Sequence, residues 1–253
     1  MSNLPNAFKS LKGEGGAFGR EDRSMMSEEA VETLAGPRQT LRLGMWIAWS
    51  LFPLYIAYEA SLFAGGVAQG VPVDPFMAIA EVLDIIGALL QVILIATIYE
   101  CAPHRAKSLT RIALGWMLVM AGLTISVHFI MLTVGRQIDV ATFPGYARVF
   151  GWEWPSLLYA VELAAWHLFF GLSLLFAASA FRGRGRQALV RAGLRVTGVL
   201  CIAGLVGPAV GNLNWRMIGV FGYGVVFPLV CVAIALVFKH ATASEEVSPQ
   251  AGR

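Results

Sequence analysis

The chain of 253 residues is 57% hydrophobic and only 14% charged, whereas soluble domains carry about 25% charged residues. This composition excludes an ordinary soluble domain and indicates a protein with several membrane spans. The formal net charge of +3 is too small to indicate a nucleic-acid partner.

The N-terminal 42 residues are predicted to form a cytoplasmic segment that is partly disordered. Residues 1–23 are rich in glycine, lysine and glutamate and contain no early apolar core of the signal-peptide kind. Residues 27–37 carry a serine that can cap a helix, two glutamates in its first turn and a terminating Gly-Pro pair. A short capped helix is therefore expected before the first span.

Six apolar stretches follow, and each is close to the roughly 20 residues that cross a bilayer as a helix. The predicted fold is all-α, a six-span transmembrane domain over residues 43–239 followed by a disordered cytoplasmic tail over residues 240–253. The predicted spans are 43–69, 76–99, 109–134, 155–181, 190–211 and 217–238.

The charges of the short loops predict how the spans are oriented. The basic side carries Arg38, Arg42, His104, Arg105, Lys107, Arg111, Arg182, Arg184, Arg186, Arg191, Arg195 and Lys239. The other side carries few basic residues, so the positive-inside rule predicts that both termini are cytoplasmic. The expected location is the cytoplasmic (inner) membrane of a bacterial-type cell, with the lipid bilayer as the main partner.

Six titratable side chains lie inside the predicted spans, although each charged side chain costs about 2.5–3.5 kcal/mol at the centre of a bilayer. The predicted boundaries place all six in the outer half of the membrane, at depths between about 8 and 18 Å. These candidate metal ligands are Glu59, Glu81, Asp84, His128, Glu162 and His167.

Helical periodicity predicts which of these side chains share a face. Glu81, Asp84 and Gln91 fall at i, i+3 and i+10, which makes one polar stripe down the second span. Thr124 and His128 share a face of the third span. The second and third spans are thus expected to turn polar faces into the bundle.

The fourth span fits a single polar face less well. Glu162 and His167 are five residues apart, which is about 140° around an α-helix, so Glu162 aligns with Trp166 instead. Both can point inward only if this helix packs on two sides. Periodicity therefore does not predict that all six side chains converge.

Three interpretations of the six side chains remain open. The first is structural, with carboxylates and imidazoles paired across helices. The second is a metal site, or a haem group with His128 and His167 as axial ligands. The third is a ligand or ion pathway that opens to the outer side, covered by the loop 135–154 and lined by aromatic residues. The aromatic candidates are Tyr55, Tyr58, Trp152, Trp154 and Trp166.

The fifth and sixth spans are predicted to provide packing rather than a site. They carry glycines that let helices approach closely, among them Gly204 and Gly219. The three cysteines, Cys101, Cys201 and Cys231, are far apart in the sequence and are expected to be reduced thiols.

The function predicted from the sequence is a membrane protein whose buried Glu/Asp/His site binds a cation, metal or small ligand for transport, sensing or redox work. One alternative is an accessory subunit of a larger membrane complex, or a homo-oligomer, whose polar side chains pair with partner helices. The other is a membrane redox enzyme or haem cytochrome. No motif orders the six side chains into a named reaction.

Overall fold

In a computed structural model, the residues described are 34–65 and 74–247, with the side chains of 245–247 excepted. Their regular secondary structure is entirely helical, with no strand in these two ranges. Six helices of this part of the chain are long and apolar enough to cross a membrane, which indicates a lipid environment. These spans one to six are Arg38–Ala64, Phe76–Cys101, His104–Gly135, Leu157–Ala180, Arg186–Ala209 and Leu213–Ser244.

The helix ends differ from the predicted ones at both termini of the domain. Span one begins directly after Pro37 and ends at Ala64, where Gly65 donates its N–H to the Ser61 carbonyl. The last helix continues to Val247, so residues 240–247, predicted as disordered tail, are helical. Residues 34–37 are not helical, and the rest of the short helix predicted over 27–37 lies outside the described residues.

The spans form a closed ring in chain order. Each span packs against the next one, and span six packs against span one. The ring interior is filled by apolar side chains such as Met117, Phe170 and Phe227, all fully buried. Large apolar side chains on the outside, including Trp46 and Leu229, are 60% exposed. Since those exposed faces need an apolar surrounding, the ring is suited to hydrocarbon.

The long connection 136–156 folds over one end of the ring. A short helix, Tyr146–Phe150, packs through Phe150 against Val127 and Leu158 of spans three and four. The Tyr146 hydroxyl donates to the Gly135 carbonyl at 2.8 Å. Residues 136–156, called the cap below, are therefore a packed cover over this end.

Three short π-helical turns interrupt the spans: Met131–Gly135, Ala164–Phe169 and Gly222–Val226. A π turn bonds i to i+5 and widens the helix locally, and such turns occur frequently at functional sites. The first begins three residues after His128 and the second two residues after Glu162. The turn in span four also changes the angular spacing from which the face of His167 was predicted.

Candidate metal centre

Three of the six predicted site residues converge inside the ring. Asp84 of span two, His128 of span three and Glu162 of span four each offer one ligand atom, and these atoms all lie within 4.8 Å of one another. The three residues are only 6%, 4% and 8% exposed. This group is called the cluster below. Its residues lie five to eight residues from the cap ends of their helices, about 8–12 Å deep along the helix axes.

The imidazole of His128 connects the two carboxylates. Its Nε2 lies 2.7 Å from Oδ2 of Asp84 and 3.2 Å from Oε1 of Glu162. Both distances are within hydrogen-bond range, so a proton on Nε2 would be shared between the two carboxylates. The cluster thereby joins three consecutive spans through one ring nitrogen.

Glu162 is held in place by donors from two helices. Its Oε1 accepts a hydrogen bond from the Trp166 indole at 2.5 Å and another from the Thr124 hydroxyl at 3.2 Å. These contacts bear out the alignment of Glu162 with Trp166 and the shared face of Thr124 and His128. The second oxygen, Oε2, is buried and has no hydrogen-bond partner among the described residues. One carboxylate oxygen is thus anchored while the other is left for a proton or a cation.

The charge of the cluster depends on whether it holds an extra proton or a cation. Two ionised carboxylates and one protonated imidazole would sum to −1, in a site where an uncompensated charge is costly. A divalent cation bound to two carboxylates and a neutral imidazole sums to zero. Mixed nitrogen and oxygen donors of this kind suit first-row divalent metals such as Zn²⁺, Mn²⁺ and Fe²⁺. The residues present therefore fit a divalent metal ion.

Glu81 is buried one turn closer to the cap, beside the cluster but outside the grouped ligand atoms. Its carboxylate interacts with His128, with the Trp152 indole and with Arg136. Arg136 in turn makes an exposed 2.7 Å ion pair with Asp74. Glu81, Arg136 and Asp74 are thus polar groups on the cap side of the cluster.

His167 faces a different part of the ring. A Cβ atom added at either Gly204 or Gly219 would collide with its ring, so the imidazole occupies a slot that these two glycines leave open. Its Nε2 lies 3.2 Å from the Arg216 carbonyl oxygen. His167 therefore joins span four to spans five and six. Because His128 and His167 have separate partners, the geometry does not favour a haem bound between them.

Glu59 lies on the outer surface of the ring. Its side chain is exposed and lines an apolar groove of about 300 Å³ between spans one and six, together with Tyr55 and Pro228. Because span one ends at Ala64, Glu59 is only five residues from its end, about 8 Å along the axis. It is nearer the end of its helix than the predicted boundary indicated, and it is not part of the cluster.

Two contacts at the site could not be expected from helical periodicity. Trp152 of the cap stacks on the His128 ring with centroids 5.4 Å apart. Gln91, on the predicted polar stripe, donates to the Tyr55 hydroxyl at 3.1 Å and so ties span two to span one. For Trp152 the signals in the sequence were the length of the loop and its tryptophans, and for Gln91 its place on the polar stripe.

Fold and site together define a ring of six apolar, membrane-length helices with a buried Asp/His/Glu cluster that could hold a metal ion. No protein-family model matches the sequence, and neither the curated proteins nor the solved structures give a match.

Proposed function

We propose that this is a cytoplasmic-membrane protein that binds a divalent cation at Asp84, His128 and Glu162, in the outer half of the bilayer. The observation that carries the proposal is the convergence of one nitrogen and two oxygen ligand atoms within 4.8 Å in a buried site. The role that follows is cation sensing or transport.

The hydrogen bonds of Glu162 support this role. Trp166 and Thr124 fix one of its oxygens, while the other is buried without a partner. If the only role of this carboxylate were to pair two helices, both of its oxygens would be expected to accept hydrogen bonds. An unsatisfied buried acceptor costs about 1–3 kcal/mol. A cation at the cluster would satisfy this oxygen and replace the proton on Nε2 of His128. Binding would thus release a proton, as metal binding to protonated ligands generally does.

Metal analysis of the purified protein, followed by titration with Co²⁺ as a coloured probe, tests the proposal. Wild-type protein in detergent should bind one Co²⁺ per chain and show its visible absorption bands. Asp84→Asn and Glu162→Gln should each weaken binding at least about tenfold, since each removes a charged ligand worth about 1.4 kcal/mol or more. Release of protons into weakly buffered solution should accompany binding.

Glu59→Gln is the matched control. It removes an acidic side chain from the neighbouring span outside the cluster, so its Co²⁺ affinity should equal that of the wild type. If all three variants bind Co²⁺ as the wild type does, the cluster is not the site. If the wild type binds no divalent metal and Asp84→Asn changes only stability, the role of the cluster is to pair helices.

An accessory-subunit role is the second candidate, and Glu59 is the observation that favours it. A carboxylate exposed on a span facing hydrocarbon is unfavourable unless a donor covers it. A helix of a partner subunit, or of a second copy, would supply such a donor. Purification in mild detergent tests this: a stoichiometric second chain lost in Glu59→Gln would support it, and a monodisperse single chain would count against it.

A further inference from the structure

Two buried polar atoms on the cap side of the cluster, Oε2 of Glu81 and Nδ1 of His128, have no hydrogen-bond partner among the described residues. The Trp152 indole N–H lies beside the Glu81 carboxylate without completing a well-formed hydrogen bond. The three residues are mutual neighbours, because Glu81 interacts with both rings and the two rings stack. Buried polar groups are generally paired with protein or ordered water. The unpaired carboxylate oxygen and ring nitrogen, next to the indole N–H, are groups with which a water molecule or a hydrated cation could pair.

Trp152 closes this group of polar atoms from the cap side. Its ring lies nearly parallel to the His128 imidazole, with an interplanar angle of 29°, and its edge meets Tyr159 at 6.1 Å. It belongs to the cap rather than to a span, so a change of its rotamer would not disturb a membrane helix. The stacked ring therefore covers the cluster from the cap side.

Glu81 lies between the cluster and the cap end. It is 4% exposed and lies three residues from Asp84 on the same buried stripe. The nearby cation, Arg136, is engaged by Asp74 at the rim. The unpartnered Glu81 oxygen therefore lies on the side of Asp84 that faces the cap.

We infer that Glu81 and Trp152 form the entrance to the cluster from the side that carries the cap, with Glu81 as the first carboxylate an incoming divalent cation meets and Trp152 as the movable cover. The inference rests on the proposed function, because it names how the cation reaches that site. The charge distribution predicts that this is the outer side of the membrane.

Labelling a cysteine at the entrance tests the route without any metal. The three native cysteines are buried, so the wild type should react slowly with a membrane-impermeant thiol reagent. Glu81→Cys in proteoliposomes should react only from the cap side, and the added change Trp152→Ala should speed its reaction. Glu153→Cys and Arg184→Cys, exposed at the two ends of the bundle, identify the side from which the reagent acts.

The kinetics of Co²⁺ binding test the cover. Trp152→Ala should raise the association and dissociation rates together by about tenfold, equivalent to about 1.4 kcal/mol, and leave Kd nearly unchanged. Trp154→Ala, in the same loop but partly exposed, should behave as the wild type. Glu81→Gln should slow association.

The outcomes separate the two proposals. Labelling of Glu81→Cys from the opposite side, or equal Co²⁺ rates in Trp152→Ala and Trp154→Ala, would overturn the entrance even where Co²⁺ binding still depends on Asp84. The entrance could also be labelled from the cap side, and faster in Trp152→Ala, while the wild type binds no divalent cation. That combination would overturn both the proposed function and the inference that a cation uses this entrance.

Discussion

Nε2 of His128 lies 2.7 Å from Oδ2 of Asp84, and this contact joins two neighbouring spans inside the ring. Polar contacts between membrane helices contribute about 0.6 kcal/mol on average and up to about 1.7 kcal/mol in measured cases. This pair is buried and is shared with a second carboxylate, so its coupling should fall at the upper end of that range.

A double-mutant cycle on this pair measures the coupling directly. For metal-free protein, Asp84→Asn and His128→Gln should show a coupling energy of about 1–2 kcal/mol. The exposed pair Asp74 and Arg136, also at 2.7 Å, is the matched control and should give less than about 1 kcal/mol. The measurement is reversible unfolding in mixed micelles. Equal coupling in both pairs would show that burial adds nothing to the first.

Alanine substitutions test the slot that holds His167. Gly204→Ala should lower the free energy of unfolding by about 1–3 kcal/mol, because its Cβ would collide with the imidazole and the packed ring cannot move freely. Gly122→Ala is the control, since no atom lies within 4 Å of its added Cβ. This control should be neutral or more stable by a few tenths, up to about 1 kcal/mol. A tolerated Gly204→Ala would mean that His167 is not confined there.

Trp166→Phe separates the indole hydrogen bond from the packing of the ring. The phenyl ring can keep the contacts with Phe170 and Tyr223, but the donor to Glu162 is lost. The free energy of unfolding should fall by about 1–3 kcal/mol, since the donor bonds a buried carboxylate. Trp46→Phe, at an exposed position, should stay within about 0.5 kcal/mol of the wild type. Similar losses in both variants would assign the effect to ring size.

The orientation predicted from loop charge can be checked in intact cells. Glu153→Cys in the cap should react with an impermeant thiol reagent added outside, whereas Arg184→Cys on the basic side should react only after the membrane is permeabilised. The opposite pattern would reverse the predicted topology and move the cluster to the inner half of the bilayer.

The parts of the site that follow from one regular helix could be predicted from the sequence. The stripe of Glu81, Asp84 and Gln91 depends only on 3.6-residue periodicity, and all three side chains are buried as expected. The pairing of Glu162 with Trp166 spans four residues and is found as predicted. Spacing along one helix was sufficient to predict these two features, because neither depends on a residue that is distant in the sequence.

The position of the His167 side chain could not be predicted from spacing along one helix. Its slot is made by Gly204 and Gly219, which are distant in the sequence, and a π turn alters the spacing of span four around it. The predicted depth of Glu59 assumed that span one continues to residue 69, and hydropathy alone does not show that the helix ends at Ala64. The cover by Trp152 depends on how a long loop folds, which periodicity does not address.

The spans follow one another around the ring in chain order, and this order has a consequence for biosynthesis. Asp84, His128 and Glu162 belong to three successive spans, so a nascent chain that has been made as far as Ala180 already contains the whole ligand set and the cap above it. The glycines that seat His167 are translated afterwards. The candidate metal ligands are thus all synthesised before the last two helices can pack against the fourth.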